Sequence, residues 1–288
     1  MTVEFIADRG FKLSNAGRSL LLKSIIIGKD NAFLTDRQIL QGAEAFFGYD
    51  DDINERGYLP NKRVSITPTE APPIAEADVA YKFTDDSAVK FWIDGSIRLN
   101  PLQFYHNIEN VNAMDVREGL GMVHLDSPAR FAELLSGSGF NSLVICASSD
   151  ARKSERAIRH KKFGSRLLRI NRVTEFAQKI ASRIGAKRFA VRDVNYSDLK
   201  VVKGVSHFPD TFLGVHGSGD LKKATLEAIA VNHLDELIEA TEAASVFTKP
   251  NSFRIERERR LLFVMDKDVT GWTSVQDKAL AEHIEVIV

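Results

Sequence analysis

The stretch Thr248–Val264 places the tightest constraint on how this chain can fold. It runs from Lys249-Pro250 through Glu256-Arg257-Glu258-Arg259-Arg260 into Leu261-Leu262-Phe263-Val264. Charge followed at once by an apolar run predicts a strand entering a core, here over Arg254 to Met265. Residues two apart on a strand share a face, so Glu256, Glu258 and Arg260 are expected to point the same way. Two like charges on one face beside buried residues destabilise the fold unless a counter-charge offsets them. Arginines of the chain or a cationic substrate would supply it. The segment therefore predicts a strand and a site together.

The rest of the chain is ordinary in bulk. Its 288 residues are 44% hydrophobic and 27% charged, with a formal net charge of +0, as expected for a globular protein. Zero net charge removes any whole-molecule attraction to nucleic acid or anionic lipid, so such an argument must come from local clusters. No apolar run reaches the roughly 18 residues of a spanning helix. Met1-Thr2-Val3-Glu4-Phe5 lacks the basic start of a secretory signal. Cys146 is the single cysteine, which excludes an intramolecular disulfide and a cysteine-based zinc site. A cytoplasmic protein without a membrane partner is the expectation.

Along the chain, residues 1–75 read as an N-terminal segment or small subdomain with a linker, and 76–288 as the main domain. Thr35 to Phe47 has helical spacing, and Pro60, Pro68, Pro72 and Pro73 follow in an extended stretch. Beyond residue 76, strands are expected at Val79–Phe83, Ser96–Asn100, Ser142–Ala147, Arg166–Ile170, Phe189–Tyr196 and Ala281–Val288. Helices are expected from Thr84-Asp85-Asp86 to Ile93, over Thr174–Ile184 and over Leu221–Ala243. The pattern is α+β: a mixed, mostly antiparallel sheet, or a split form of it, flanked by helices and carrying an N-terminal extension.

Several clusters have competing readings. Ser148 and Ser149 follow an apolar strand, where a hydroxyl can hold a glutamate or a ribose; Ser-Ser-Asp is also an ordinary helix cap. Residues 152–172 hold Arg152, Lys153, Arg156, Arg159, Lys161, Lys162, Arg166, Arg169 and Arg172 against the single acid Glu155. That segment either contacts phosphates or is a solvated face paired with acids elsewhere. Glu109, Asp115 and Glu118, near His106, either bind a divalent metal for phosphodiester cleavage or brace a loop. Gly214–Asp220 resembles a phosphate loop without its Gly-Lys-Ser/Thr ending, and reads as a turn. No compact metal motif is present, and none of these residues is assigned to a metal.

From Val79 to Val264 an ordered set of landmarks resembles a bacterial family of unknown function: Tyr81-Lys82-Phe83, Gly95-Ser96-Ile97-Arg98-Leu99, Arg117-Glu118-Gly119, Cys146-Ala147-Ser148-Ser149, Val194-Asn195-Tyr196, and Lys249-Pro250 before Glu256-x-Glu258-x-Arg260. More distantly, the chain is similar to ADP-ribosyltransferases, whose split sheet carries a basic residue early, a Ser-rich strand in the middle and Glu-x-Glu late. That resemblance implies NAD as cofactor and a toxin or defence effector as the biological class. It implies Glu258 as the catalytic carboxylate, Glu256 as its partner and Ser148 as their support, with Tyr81, Lys82, Ser149, Arg98 and Arg260 on the cofactor side. The acceptor would be a protein or a nucleic acid. Lys82 departs from the pattern, being a point charge where a planar Arg or a His is expected. Two other readings stand beside it: a metal-dependent nucleic-acid-processing enzyme, and a non-catalytic module that senses a nucleotide or binds a partner. The enzymatic reading requires Lys82, Ser148 and Glu258 to converge on one cleft.

Overall fold

The structure, a computed structural model, describes residues 2–6, 10–15, 18–25, 33–35, 63–65, 67–73, 78–106, 118–126, 131–197, 199–206 and 234–287. The helix expected at Thr35–Phe47 lies outside them from residue 36 onward. Glu109, Asp115, Gly214–Asp220 and residues 221–233 of the expected long helix also lie outside them.

Five strands come first: β1 (Thr2–Ile6), β2 (Gly10–Asn15), β3 (Arg18–Ile25), β4 (Phe33–Thr35) and β5 (Arg63–Ser65). Then follow β6 (Val79–Thr84), α1 (Asp86–Ile93), β7 (Ser96–Pro101), β8 (Leu120–Asp126), β9 (Phe131–Ser138) and β10 (Ser142–Ser148). The chain continues through α2 (Lys153–Phe163), β11 (Arg166–Asn171), α3 (Val173–Ile184), β12 (Arg188–Asp193), β13 (Asn195–Tyr196) and β14 (Val201–Ser206). It closes with α4 (Leu234–Ser245), β15 (Thr248–Lys249), β16 (Glu258–Val264), β17 (Thr273–Gln276), α5 (Lys278–Ala281) and β18 (Ile284–Val286).

The fold is α+β. Its main sheet is antiparallel throughout, in the order β12-β16-β10-β6-β11-β18, with β7 on β10 and β17 on β7. A second sheet runs β1-β2-β3-β9-β8-β14, parallel only at its β8–β14 edge. In it β3 pairs with β9 over Leu20↔Ser138 to Ile25↔Glu133, so residues from both sides of position 75 share one ladder.

Period-two alternation explains the burial of β16, the central strand. Leu261 and Phe263 join a core with Ala80, Ile97, Leu143, Ile145 and Ile170, covered by Trp92 of α1 and by Phe176, Ala177 and Ile180 of α3. Leu262 and Val264 face the other way, onto Val144, Leu102 and Phe247. All seven residues of β16 are buried, Glu258, Arg259 and Arg260 included. Strand β12 on one side and β10 on the other satisfy its backbone.

The edge of β10 opposite β16 is divided. Strand β7 pairs with Leu143 and Val144, and β6 pairs with Ser148. Among the described residues no strand pairs with Ile145, Cys146 or Ala147 on that edge. The Lys82 ammonium fills the gap, donating to the Cys146 carbonyl at 2.8 Å. A side chain thus replaces the missing strand N–H and holds the split open. Among the described residues no helix is long and apolar enough to cross a membrane.

Gly164 fixes how α2 turns into β11. Its φ is +120°, and a Cβ there would lie 2.2 Å from the Thr84 carbonyl carbon. Both the conformation and the space exclude a side chain. Gly164→Ala is expected to destabilise the fold by about 2 kcal/mol or more, read as a lowered urea midpoint at unchanged slope.

Candidate functional site

One cleft of about 230 Å³ opens at the split. Tyr81 and Lys82 of β6, Ser148 of β10, and Glu256 and Glu258 all line it, together with Cys146, Tyr105 and Lys249. The pairing registers Tyr81↔Ser148 and Ser148↔Glu258 put three of these residues in one row across adjacent strands. Lys82, Ser148 and Glu258 therefore do converge. Ser149, Arg98 and Arg260 are not among the lining residues. Ser149 donates its backbone N–H to the Arg257 carbonyl at 2.7 Å. Arg98 is exposed, with its guanidinium 4.7 Å from the Trp272 ring centroid.

Glu256 reaches the cleft by a different route from the one expected. Residues Asn251–Glu256 form a 3₁₀ turn behind Pro250, and Arg257 takes a left-handed conformation with φ 43°. The strand begins only at Glu258. The expected strand over Arg254–Met265 is therefore corrected at its start: the turn and left-handed residue break the period-two face before it reaches Glu256. Arg159 anchors this turn. Fully buried, it donates to the Ile255 carbonyl at 2.9 Å and the Asp150 carbonyl at 2.7 Å, and it pairs with Glu155. The Ser148 hydroxyl donates to the Glu256 carbonyl at 2.9 Å. Ser148 thus ties strand to turn. The helix-cap reading of Ser148-Ser149 is not met: Arg152 is the residue that caps α2, with no side-chain capping bond.

The charges form an alternating chain. The fully buried Arg260 donates from Nη1 to Glu118 Oε1 at 2.6 Å, from Nη2 to Glu118 Oε2 at 3.1 Å, and from Nε to Glu258 Oε1 at 2.7 Å. Lys249 Nζ donates to Glu258 Oε2 and to Glu256 Oε2, each at 2.9 Å. Lys162 Nζ lies 3.6 Å from Glu256 Oε1, which is buried and, among the described residues, has no hydrogen-bond donor. Tyr196 completes the frame, its hydroxyl oxygen accepting the Glu258 N–H at 2.7 Å.

This arrangement separates the two carboxyls. Burial pushes Glu258 up, but Arg260 and Lys249, by charge and by hydrogen bonds, outweigh it and hold the carboxyl well below the usual range. Both its oxygens are engaged. Burial also pushes Glu256 up; Lys249 opposes and the Glu258 charge reinforces, and the net shift is upward. The lysines diverge as well. Burial works against the Lys249 charge, yet Glu258, Glu256 and Glu118 raise it well above an ordinary lysine. Burial lowers Lys82, with only partial opposition from Cys146 and Glu258. Burial, then Glu258, pushes the Cys146 thiol up to about 12, so it is not a thiolate nucleophile.

The basic segment is largely paired. Arg152 meets Asp150, Arg166 meets Asp86, Arg169 meets Glu285 and Arg172 meets Glu175. Arg159 points inward and Lys162 lies beside Glu256. Of the expected acidic trio, Glu118 alone is described, and it gives both oxygens to Arg260. Among the described residues no three His, Cys, Asp or Glu side chains group to hold a metal.

No family model, curated protein or solved structure matches the chain.

Nothing in the sequence marks Lys249 or Tyr196 as a site residue. Lys249 stood in a landmark pair, but only the turn after Pro250 folds it back onto Glu256 and Glu258. The partnership of Glu118 with Arg260 spans 142 residues and has no local signal.

Opposite stability effects follow for the two carboxyls. The folded state favours the Glu258 anion, so its contribution is full above the unfolded value of about 4.3. It is lost as pH falls below that value and through the depressed folded one. Glu256 has the reverse sign: its proton affinity is raised in the folded state, so its ionisation opposes folding as pH rises above the unfolded value. At neutral pH Glu258→Gln is expected to cost about 3–5 kcal/mol, as for a broken buried pair, and Glu256→Gln no more than about 1 kcal/mol. Denaturant titration of both variants checks this.

Proposed function

We propose that the cleft binds NAD and breaks its ribose–nicotinamide bond, transferring the ADP-ribosyl group to an acceptor. The observation that carries the reading is the convergence of Tyr81, Lys82, Ser148, Glu256 and Glu258 on one cleft at the split of the sheet. These five residues are among those the resemblance to ADP-ribosyltransferases implies for the site.

The chemistry suits the two carboxyls. Cleavage leaves the electron pair of the C1–N bond on nicotinamide and positive charge on the ribose, which a fixed carboxylate stabilises. Glu258 is that carboxylate, kept ionised by Arg260 and Lys249. Bond formation from the acceptor to C1 releases a proton. Glu256 takes it, since its raised proton affinity brings it nearer to working pH. A pair of titratable groups whose surroundings drive them apart is the pattern of an acid–base site. Ser148 acts as a positioning residue, through its bond to the Glu256 carbonyl. Lys82 and Tyr81 line the opposite wall and would meet the cofactor.

The nucleic-acid reading draws less support, because the cations of residues 152–172 are mostly matched by acids.

Nicotinamide release from NAD, measured with protein and nucleic-acid acceptors present, tests the proposal. The wild-type protein is expected to release it, and Glu256→Gln to lower the rate about 100-fold or more while keeping the wild-type fold. NAD that binds without cleavage would leave a nucleotide-sensing module, and NAD that does not bind at saturation would remove the reading.

A further inference from the structure

Two lysines line the cleft, and their surroundings drive them in opposite directions. Lys249 is clamped between Glu256 and Glu258 at 2.9 Å from each and is firmly charged. Lys82 has no carboxylate at hydrogen-bond distance among its described contacts. Its partner is the neutral carbonyl of Cys146, at 2.8 Å. It is half-buried in the cleft wall. Tyr81, Phe83, Phe104, Tyr105 and Phe163 are among the residues that line the same cleft. A half-buried amine held by one neutral acceptor, in a cleft with aromatic as well as charged walls, has the setting of a nucleophilic lysine.

We propose that Lys82 is a carbonyl-capturing amine, which condenses with a small planar aldehyde seated among the aromatic rings of the cleft to form an imine. The Lys82 nitrogen lone pair forms a bond to the aldehyde carbon, and the carbonyl π pair moves to oxygen. The nitrogen gives up a proton and the oxygen gains one, leaving a neutral carbinolamine. Its hydroxyl then departs as water with a proton from the Glu256 carboxyl, while the nitrogen lone pair closes the C=N bond. The products are a protonated imine, the Glu256 carboxylate and water. Glu256 suits the proton transfer, because burial favours its protonated form.

The adduct is compatible with the fold. The ammonium uses one N–H on the Cys146 carbonyl, and a protonated imine retains one N–H for the same acceptor. The split between β6 and β10 therefore stays bridged after reaction. This inference does not depend on NAD cleavage, since it concerns the amine and not the ribosyl bond.

Pyridoxal phosphate, a planar aldehyde, is the probe. The wild-type protein would be mixed with an equimolar amount near neutral pH, reduced with borohydride and mapped by peptide mass spectrometry. Lys187 and Lys203, with side chains 53% and 54% exposed, serve as references in the same sample. Lys82 is expected to carry severalfold more label than either, because burial lowers its proton affinity, and Lys249 almost none. Labelling of Lys82 is also expected to set in at lower pH than is usual for a lysine. Equal or greater labelling of the exposed lysines, preferential labelling of Lys249, or an unlabelled Lys82 would overturn the proposal. The unsubstituted protein is used throughout, so misfolding of a variant cannot obscure the answer.

Discussion

The buried guanidinium of Arg260 holds this structure together at the point where its parts meet. It lies in the central strand of the main sheet and grips Glu118, which shortly precedes β8 of the second sheet. It also donates to the Val246 carbonyl just past α4, and to Glu258 two residues back. A lone charge at full burial would destabilise the fold by several kcal/mol. Bidentate pairing with Glu118 and the bond to Glu258 compensate that charge and satisfy its donors. The tie between β16 and the approach to β8 is therefore made by charge complementarity.

From Arg260 the consequences run outward. Glu258 is ionised and immobile because Arg260 and Lys249 hold one oxygen each. Lys249 is left with one further carboxylate, Glu256, whose second oxygen lacks a donor among the described residues. The network ends in the cleft at a carboxyl that burial disfavours as an anion. The stable end of the chain serves the fold, and the unstable end is available for chemistry. Such a site is expected to reduce stability where it gains function.

Much of the fold was legible because it is local. The apolar run Leu143–Ala147 between turn residues, the spacing of Phe176 and Ile180, and Gly185 after α3 each mark an element without reference to the rest of the chain. Glu258 and Arg260 share a face, as their spacing requires. Glu256 was misplaced because strand periodicity was carried through a turn that Pro250 begins and Arg257 ends. No propensity of Arg257 announces a left-handed backbone; it is held there by Glu155 and Asp150. The split beside β10 was expected only by resemblance, and Lys82 as its bridge was not foreseen. A lysine that completes a strand edge looks, in sequence, like any lysine on a strand. The basic segment leaves two readings open in sequence, because two of its acids, Asp86 and Glu285, lie far along the chain, while Asp150, Glu155 and Glu175 lie within or beside it.

One electrostatic network separates two neighbouring carboxyls, Glu258 as a locked anion and Glu256 as an available acid. Side-chain carboxyl carbon NMR, titrated with pH on protein labelled at glutamate, reads that separation directly. Glu256 is expected to titrate above the ordinary glutamate value and Glu258 below it, with Glu258 still ionised where acid begins to unfold the protein. A reversed order, or titration of both groups at the ordinary value, would contradict the claim.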